Sequence, residues 1–164
     1  MSNSALTRLH EQTVLPEWID NNDHMNVAYY VLIFDNSLDI LLDEIGLTRA
    51  YRKASNCTVY VLETHVCYLQ EVKKGDPLSI FVRVLDCDEK RMHLFFEMRH
   101  RDDGFLAATS EQMVMHLDRA GPAPKAAAMP AAMQQALNAR KDRFKGVSYP
   151  SQAGKVISIR RKQA

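Results

Sequence analysis

Cysteine is scarce in this chain and badly spaced for chemistry. Cys57, Cys67 and Cys87 are odd in number and form no C-x-x-C pair, which excludes a disulfide framework and speaks against a zinc site. An excess of charge of one sign is missing too. A formal net charge of +1 gives no reason to expect nucleic acid or an anionic membrane as a general partner. No signal pattern and no long uncharged apolar run is present, so a soluble cytoplasmic protein with no membrane contact is expected. Internal repeats and extended low-complexity tracts are also absent. The length of 164 residues suits one domain with a sizeable core, since a chain of this size buries roughly 70% of its unfolded surface.

What the chain does have is a change of hydrophobic period. Over residues 27–45, Val27, Tyr30, Val31, Phe34, Leu38, Leu41, Leu42 and Ile45 recur at the three-four spacing of one helix face. Asn26 is placed to cap this helix and Gly46 to stop it. Residues 13–15 read as a short first strand that Pro16 confines to an edge or an end, and 48–56 as a connection with room for a helical turn. Alternation takes over at 58–72, with Tyr60, Leu62, Thr64, Val66 and Tyr68 on one face and Glu63, His65, Cys67 and Leu69 on the other. Turns at 74–77, 86–89 and 102–104 set off three more strands, the last ending before the Gly121-Pro122 break. A second, peripheral helix over 126–140, starting near Pro130, and a tail with a β-prone piece at 156–159 follow. Residues 1–4 read as loose. One long helix after a short strand, then four strands in meander order, is an α+β layout with a single helix covering one face of an antiparallel sheet.

The polar stretch Trp18-Ile19-Asp20-Asn21-Asn22-Asp23-His24-Met25-Asn26 runs straight into the long helix. Free N–H groups and the positive end of the helix dipole gather at that point, suited to an anion or to a carbonyl oxygen gaining negative charge. An Asp before a helix is by itself more often a cap than a catalyst. The spacing of Asp20 to His24 and Asn26 points instead to an active site.

Asp20, His24, Met25-Asn26 and the aromatic helix start Tyr29-Tyr30 resemble the D-x-x-G-H-[VM]-N pattern of hotdog-fold acyl-CoA thioesterases of the 4-hydroxybenzoyl-CoA thioesterase type. A closer resemblance is to the betainyl-CoA thioesterases of carnitine breakdown. Leu15-Pro16-Glu17-Trp18-Ile19-Asp20, Glu63-Thr64-His65, Asp88-Glu89-Lys90-Arg91-Met92-His93 and Glu111-Gln112-Met113 carry it, from about residue 9 to 118. Asp23 departs from the pattern, standing where the family has Gly; a positive φ there would be easier for Gly than for Asp.

The resemblance implies a hotdog fold, with residues 1–120 as the thioesterase body and 121–164 as a C-terminal helix and basic tail of the same domain. It implies thioester hydrolysis without cofactor or metal, an acyl-CoA substrate, and a homodimer or homotetramer. Asp20 matches the catalytic carboxylate and either attacks the carbonyl carbon or takes a proton from water. His24 donates through its ring or backbone, orients the loop, or packs; Asn26 caps the helix and shapes the site. Trp18, Tyr29, Tyr30, Glu63 and His65 are the substrate-binding candidates, although Glu63 and His65 also read as a solvated or subunit-facing sheet surface. His65, His93, His100 and His116 show no metal-ligand spacing. Arg160-Arg161-Lys162 reads as a solvated tail or a contact for a coenzyme A phosphate. Competing readings are a thioesterase for another short or aromatic acyl-CoA and a non-catalytic acyl-CoA-binding module. A hydratase is disfavoured, because its His-containing motif has no match.

Overall fold

A computed structural model describes residues 6–159. The basic triplet at 160–162 and residues 1–4 lie outside the described residues. Strand β1 (Thr7–Thr13) leads through a 3-10 turn to helix α1 (Val27–Glu44) and the short α2 (Arg49–Ser55). Then come β2 (Cys57–Tyr68), β3 (Pro77–Cys87), β4 (Arg91–His100), β5 (Leu106–Asp118), the two-residue β6 (Lys125–Ala126) and α3 (Ala131–Asp142). The sheet runs β1-β3-β4-β5-β2, antiparallel throughout, with β6 added to the end of β5. Among the described residues no helix is long and apolar enough to cross a membrane.

This is the expected α+β hotdog layout, one long helix held against one face of an antiparallel sheet, with two corrections to strand order and position. Only β3, β4 and β5 form a meander; β2 crosses over to pair with the far side of β5. The first strand is an edge, as Pro16 requires, but it occupies Thr7–Thr13 rather than 13–15, and Val14 sits in the core just beyond it. Four of its seven side chains are polar or charged apart from its two threonines and Leu9, so the alternation that betrays a strand is weak there.

Helix α1 starts and stops where its capping residues demand. The Ala28 N–H donates to the Asn26 side chain at 3.0 Å. At the other end Gly46 takes φ +97°, and the bonds Leu47 N–H to Leu42 carbonyl (2.8 Å) and Gly46 N–H to Asp43 carbonyl (3.1 Å) form a Schellman stop. The buried face is turned from the expected one: Tyr30, Ile33, Phe34, Ser37, Leu38, Leu41 and Leu42 are inside, while Val27, Val31 and Leu32 are exposed. Ser37 is tolerated in the core because its hydroxyl donates to the Ile33 carbonyl at 2.7 Å.

A bulge between Val61 and Glu63 also moves β2 side chains. Residues directly opposite in an antiparallel pair share a face. Tyr60 is therefore placed with Met115, and Glu63 and His65 with Met113 and Glu111, on the outer face of the sheet. Thr64, Val66 and Tyr68 lie opposite Gln112, Ser110 and Ala108 on the inner face that meets α1. Tyr60 thus leaves the group in which strict alternation puts it.

Helix α3 is not peripheral. Its Met133 and Leu137, with Met129 just before it, belong to the same buried cluster as Phe34, Leu41 and Val82, and Arg140 bonds Glu44 at the end of α1 at 2.9 Å. Beyond α3 the chain crosses the outer face. Arg83 donates to the carbonyls of Ser148 (2.8 Å) and Val147 (2.9 Å) and lies over the Phe144 ring, and the Gly154 N–H donates to Glu111 at 2.7 Å. The β-prone piece at 156–159 forms no strand, and Val156, Ile157 and Ile159 are exposed.

Because Leu137 is fully buried, Leu137→Ala is expected to cost about 2–5 kcal/mol. Urea unfolding measures this, and a loss below about 0.5 kcal/mol, the range of surface changes, would make α3 peripheral after all.

Candidate active site

The stretch before α1 folds into a turn stapled at both ends. Ile19 and Met25 face each other as an isolated antiparallel bridge, and within it the Asp20 N–H donates to the His24 carbonyl at 2.9 Å. The Asn26 N–H reaches the Trp18 carbonyl (2.9 Å), and the Met25 N–H reaches the Val72 carbonyl beyond β2 (3.0 Å). These bonds satisfy the polar backbone of a segment that must lie against the core. They also fix where Asp20 and His24 point.

Asp20 Oδ1 accepts the Asn22 N–H at 2.8 Å, an Asx turn that holds the carboxylate by one oxygen. Its Oδ2 has no protein hydrogen bond among the described residues. Asp23 takes φ 60°, so the position that departs from the family pattern does need left-handed backbone, and Asp adopts it.

Asp20 and His24 open into a cleft of about 390 Å³ with Val27, Tyr30, Tyr68 and Glu71. The His24 ring meets Glu71, Nε2 to Oε2 at 2.8 Å. Tyr30 and Tyr68 pack edge to face, 5.2 Å between centroids at 84°. Burial raises the Tyr30 phenol above its usual range, the Val72 backbone opposes this, and the charges of Glu71, Tyr68 and Asp20 add to it. Tyr30 therefore stays a neutral hydroxyl at physiological pH, beside two carboxylates. No Lys or Arg is among the described residues lining the cleft.

Of the residues expected at the site, the structure brings together Asp20, His24 and Tyr30, with the Asn26 cap one residue from the lining Val27. Trp18 and Tyr29 stack on each other at 5.3 Å and 16° and are not among the residues that line the cleft. Glu63 and His65 are not brought to Asp20 within this chain. They line a separate cavity of about 260 Å³ on the outer face with His93, Glu111 and Met113, where His93 Nε2 lies 2.7 Å from Glu111 Oε1. Among the described residues no group of His, Cys, Asp and Glu is arranged to hold a metal ion.

Glu71 is the cleft residue that sequence reasoning missed. Residues 58–72 read as one strand, and alternation along such a strand would place Glu71 on the face of Glu63 and His65. The strand in fact ends at Tyr68, and Glu71 lies in the connection tied to the active-site turn by the Met25–Val72 bond. No local pattern marks it; only the pairing of two distant segments does.

Residues 14–137 match the thioesterase-like superfamily. The chain is 32% identical to the betainyl-CoA thioesterase of Pseudomonas aeruginosa over 95% of its own length and 97% of that protein. It is 37% identical to the L-carnitine dehydrogenase/betainyl-CoA thioesterase of Agrobacterium fabrum, over 92% of this chain and 30% of that longer protein. Among solved structures, a Staphylococcus aureus protein in complex with CoA superposes with a TM-score of 0.87 and 31% identity, covering 94% of this chain and 97% of that one.

The turn's left-handed residue offers a direct check. Asp23→Val places a branched Cβ at φ 60° and is expected to cost about 2 kcal/mol. Asp23→Gly should stay within about 1 kcal/mol, since relief of strain and the extra freedom of the unfolded chain offset each other. Equal urea midpoints for the two variants would mean that the turn does not impose this conformation.

Proposed function

The chain belongs to the thioesterase-like superfamily, an acyl-CoA thioester hydrolase of the hotdog fold, and from that membership we propose that it is a cytoplasmic enzyme converting betainyl-CoA to betaine and coenzyme A. The observation that carries the site assignment is the free Oδ2 of Asp20, held beside the first turn of α1. In the proposed reaction this oxygen takes a proton from water, the water oxygen adds to the thioester carbonyl carbon, and the carbonyl oxygen gains negative charge. The positive end of α1 stabilises that oxyanion. Collapse then breaks the C–S bond, and coenzyme A leaves as its thiol with the proton that the base had taken. His24, anchored to Glu71, and Asn26, closing the first turn of the helix, hold the carboxylate and the N–H groups in this relation.

Asp20→Asn is expected to leave fold and acyl-CoA binding largely intact while kcat falls about 10²-fold or more, the scale of a lost general base. Thiol release from a panel of acyl-CoA esters measures it. A variant retaining most wild-type turnover would remove Asp20 from the chemistry, and wild-type binding without turnover would favour the non-catalytic module.

Two exposed apolar surfaces support self-association. Edge strand β2 carries Tyr60, Val61 and Leu62 at 46%, 41% and 52% exposure, and α1 leaves Val27, Val31 and Leu32 uncovered. An unpaired edge with apolar side chains is a ready surface for a second copy. A dimer, or a tetramer built from dimers, is expected by light scattering at micromolar concentration. A fully active monomer would contradict it.

A further inference from the structure

Glu71 has no role in the bond-breaking steps above, yet it sits in the same cleft as Asp20. A betainyl thioester carries a permanent positive charge one methylene away from the carbonyl carbon. Whatever meets that charge must therefore stand close to whatever acts on the carbonyl. The trimethylammonium has no N–H to donate, so it is held by aromatic faces and by negative charge. Glu63, the carboxylate that the family resemblance offers as a substrate-binding candidate, is on the outer face of the sheet in a different cavity. The cleft itself holds two carboxylates, Asp20 and Glu71, together with the crossed rings of Tyr30 and Tyr68. No cation from Lys or Arg lines it among the described residues.

We infer that Glu71 is the residue that selects a cationic acyl group. This rests on the betainyl-CoA reading and names the side chain responsible for it. The carboxylate is oriented by its 2.8 Å contact between Oε2 and His24 Nε2, which leaves Oε1 for the ligand. Tyr30 and Tyr68 supply the aromatic edge of the same subsite, and Tyr30 is near enough to both carboxylates for their charges to act on its phenol. Asp20 remains the group that works on the carbonyl. Two carboxylates in one cleft thus divide into one for the chemistry and one for the charge of the substrate.

The test compares betainyl-CoA with its nearly isosteric neutral analogue, 3,3-dimethylbutyryl-CoA, on the wild-type enzyme and on Glu71→Gln. The amide keeps the shape of the side chain and an oxygen that can accept from His24, so the change is mainly one of charge. Wild type should prefer betainyl-CoA by about tenfold or more in kcat/KM. In Glu71→Gln that ratio should fall about tenfold, and Glu71→Lys should invert it through like-charge repulsion. Urea unfolding reports in each case that the variant is folded, and turnover of the neutral ester reports whether His24 still holds the site. A wild-type ratio near one would overturn the betainyl-CoA reading and this inference together. A high wild-type ratio that persists in Glu71→Gln would overturn the inference alone. Equal losses on both esters would also overturn it, leaving Glu71 as a positioning residue that acts through His24.

Discussion

Burying α1 against the sheet commits the chain to a particular way into that helix. The segment before it cannot remain solvated once Trp18, Met25 and Tyr30 are inside, so its backbone groups must find partners in the protein. They do so through the Trp18–Asn26 and Asp20–His24 bonds within the turn and the Met25–Val72 bond to the segment after β2. The geometry of Asp20 follows from these bonds. Its carboxylate is further held by the Asn22 N–H and lines the cleft beside Val27 and Tyr30 of the helix. Placement of the candidate carboxylate is here a consequence of helix burial.

The parts of the fold that rest on local period were legible in the sequence. Helix α1, its cap at Asn26 and its stop at Gly46 depend on spacing, on an amide side chain and on a glycine, each of which acts within a few residues. What depended on distant pairing was hidden. The crossover of β2 to β5 leaves no mark on either strand, and the bulge at 61–63 that turns Tyr60 outward is a property of the pair rather than of β2 alone. The rotation of the buried face of α1 has a local cause that apolar spacing passes over, since Ser37 reads as polar although its hydroxyl donates to the Ile33 carbonyl one turn back in the same helix.

The candidate site divides along the same line. Asp20, His24 and Asn26 are close in sequence, and a compact turn brings them to one helix end. Glu71 arrives from the other side of the sheet topology, carried by the end of β2. Tyr68 reaches the cleft from the inner face of β2, whereas Leu69 and Glu71 reach it from the connection that follows the strand. Conversely, Glu63 and His65 lie only a few positions back along the strand but fall on the opposite face. The end of regular pleating at Tyr68 frees Glu71 from the alternation that holds Glu63 and His65 on the outer face.

The side chain of Glu71 is 68% exposed and that of His24 30% exposed, so in one isolated chain water screens the charges of the cleft. Screening would weaken both the proposed hold on a cationic acyl group and the proposed stabilisation of an oxyanion, since each strengthens as the local dielectric falls. The exposed apolar side chains stand at the margin of this polar site: Val27 and Leu69 line the cleft, and Val31 and Leu32 continue along α1 from it. Covering those apolar groups would also remove water from around Asp20 and Glu71. In the proposed oligomer, association through this surface and the electrostatic strength of the cleft would be linked by the same displaced solvent, and a change that loosened one would weaken the other.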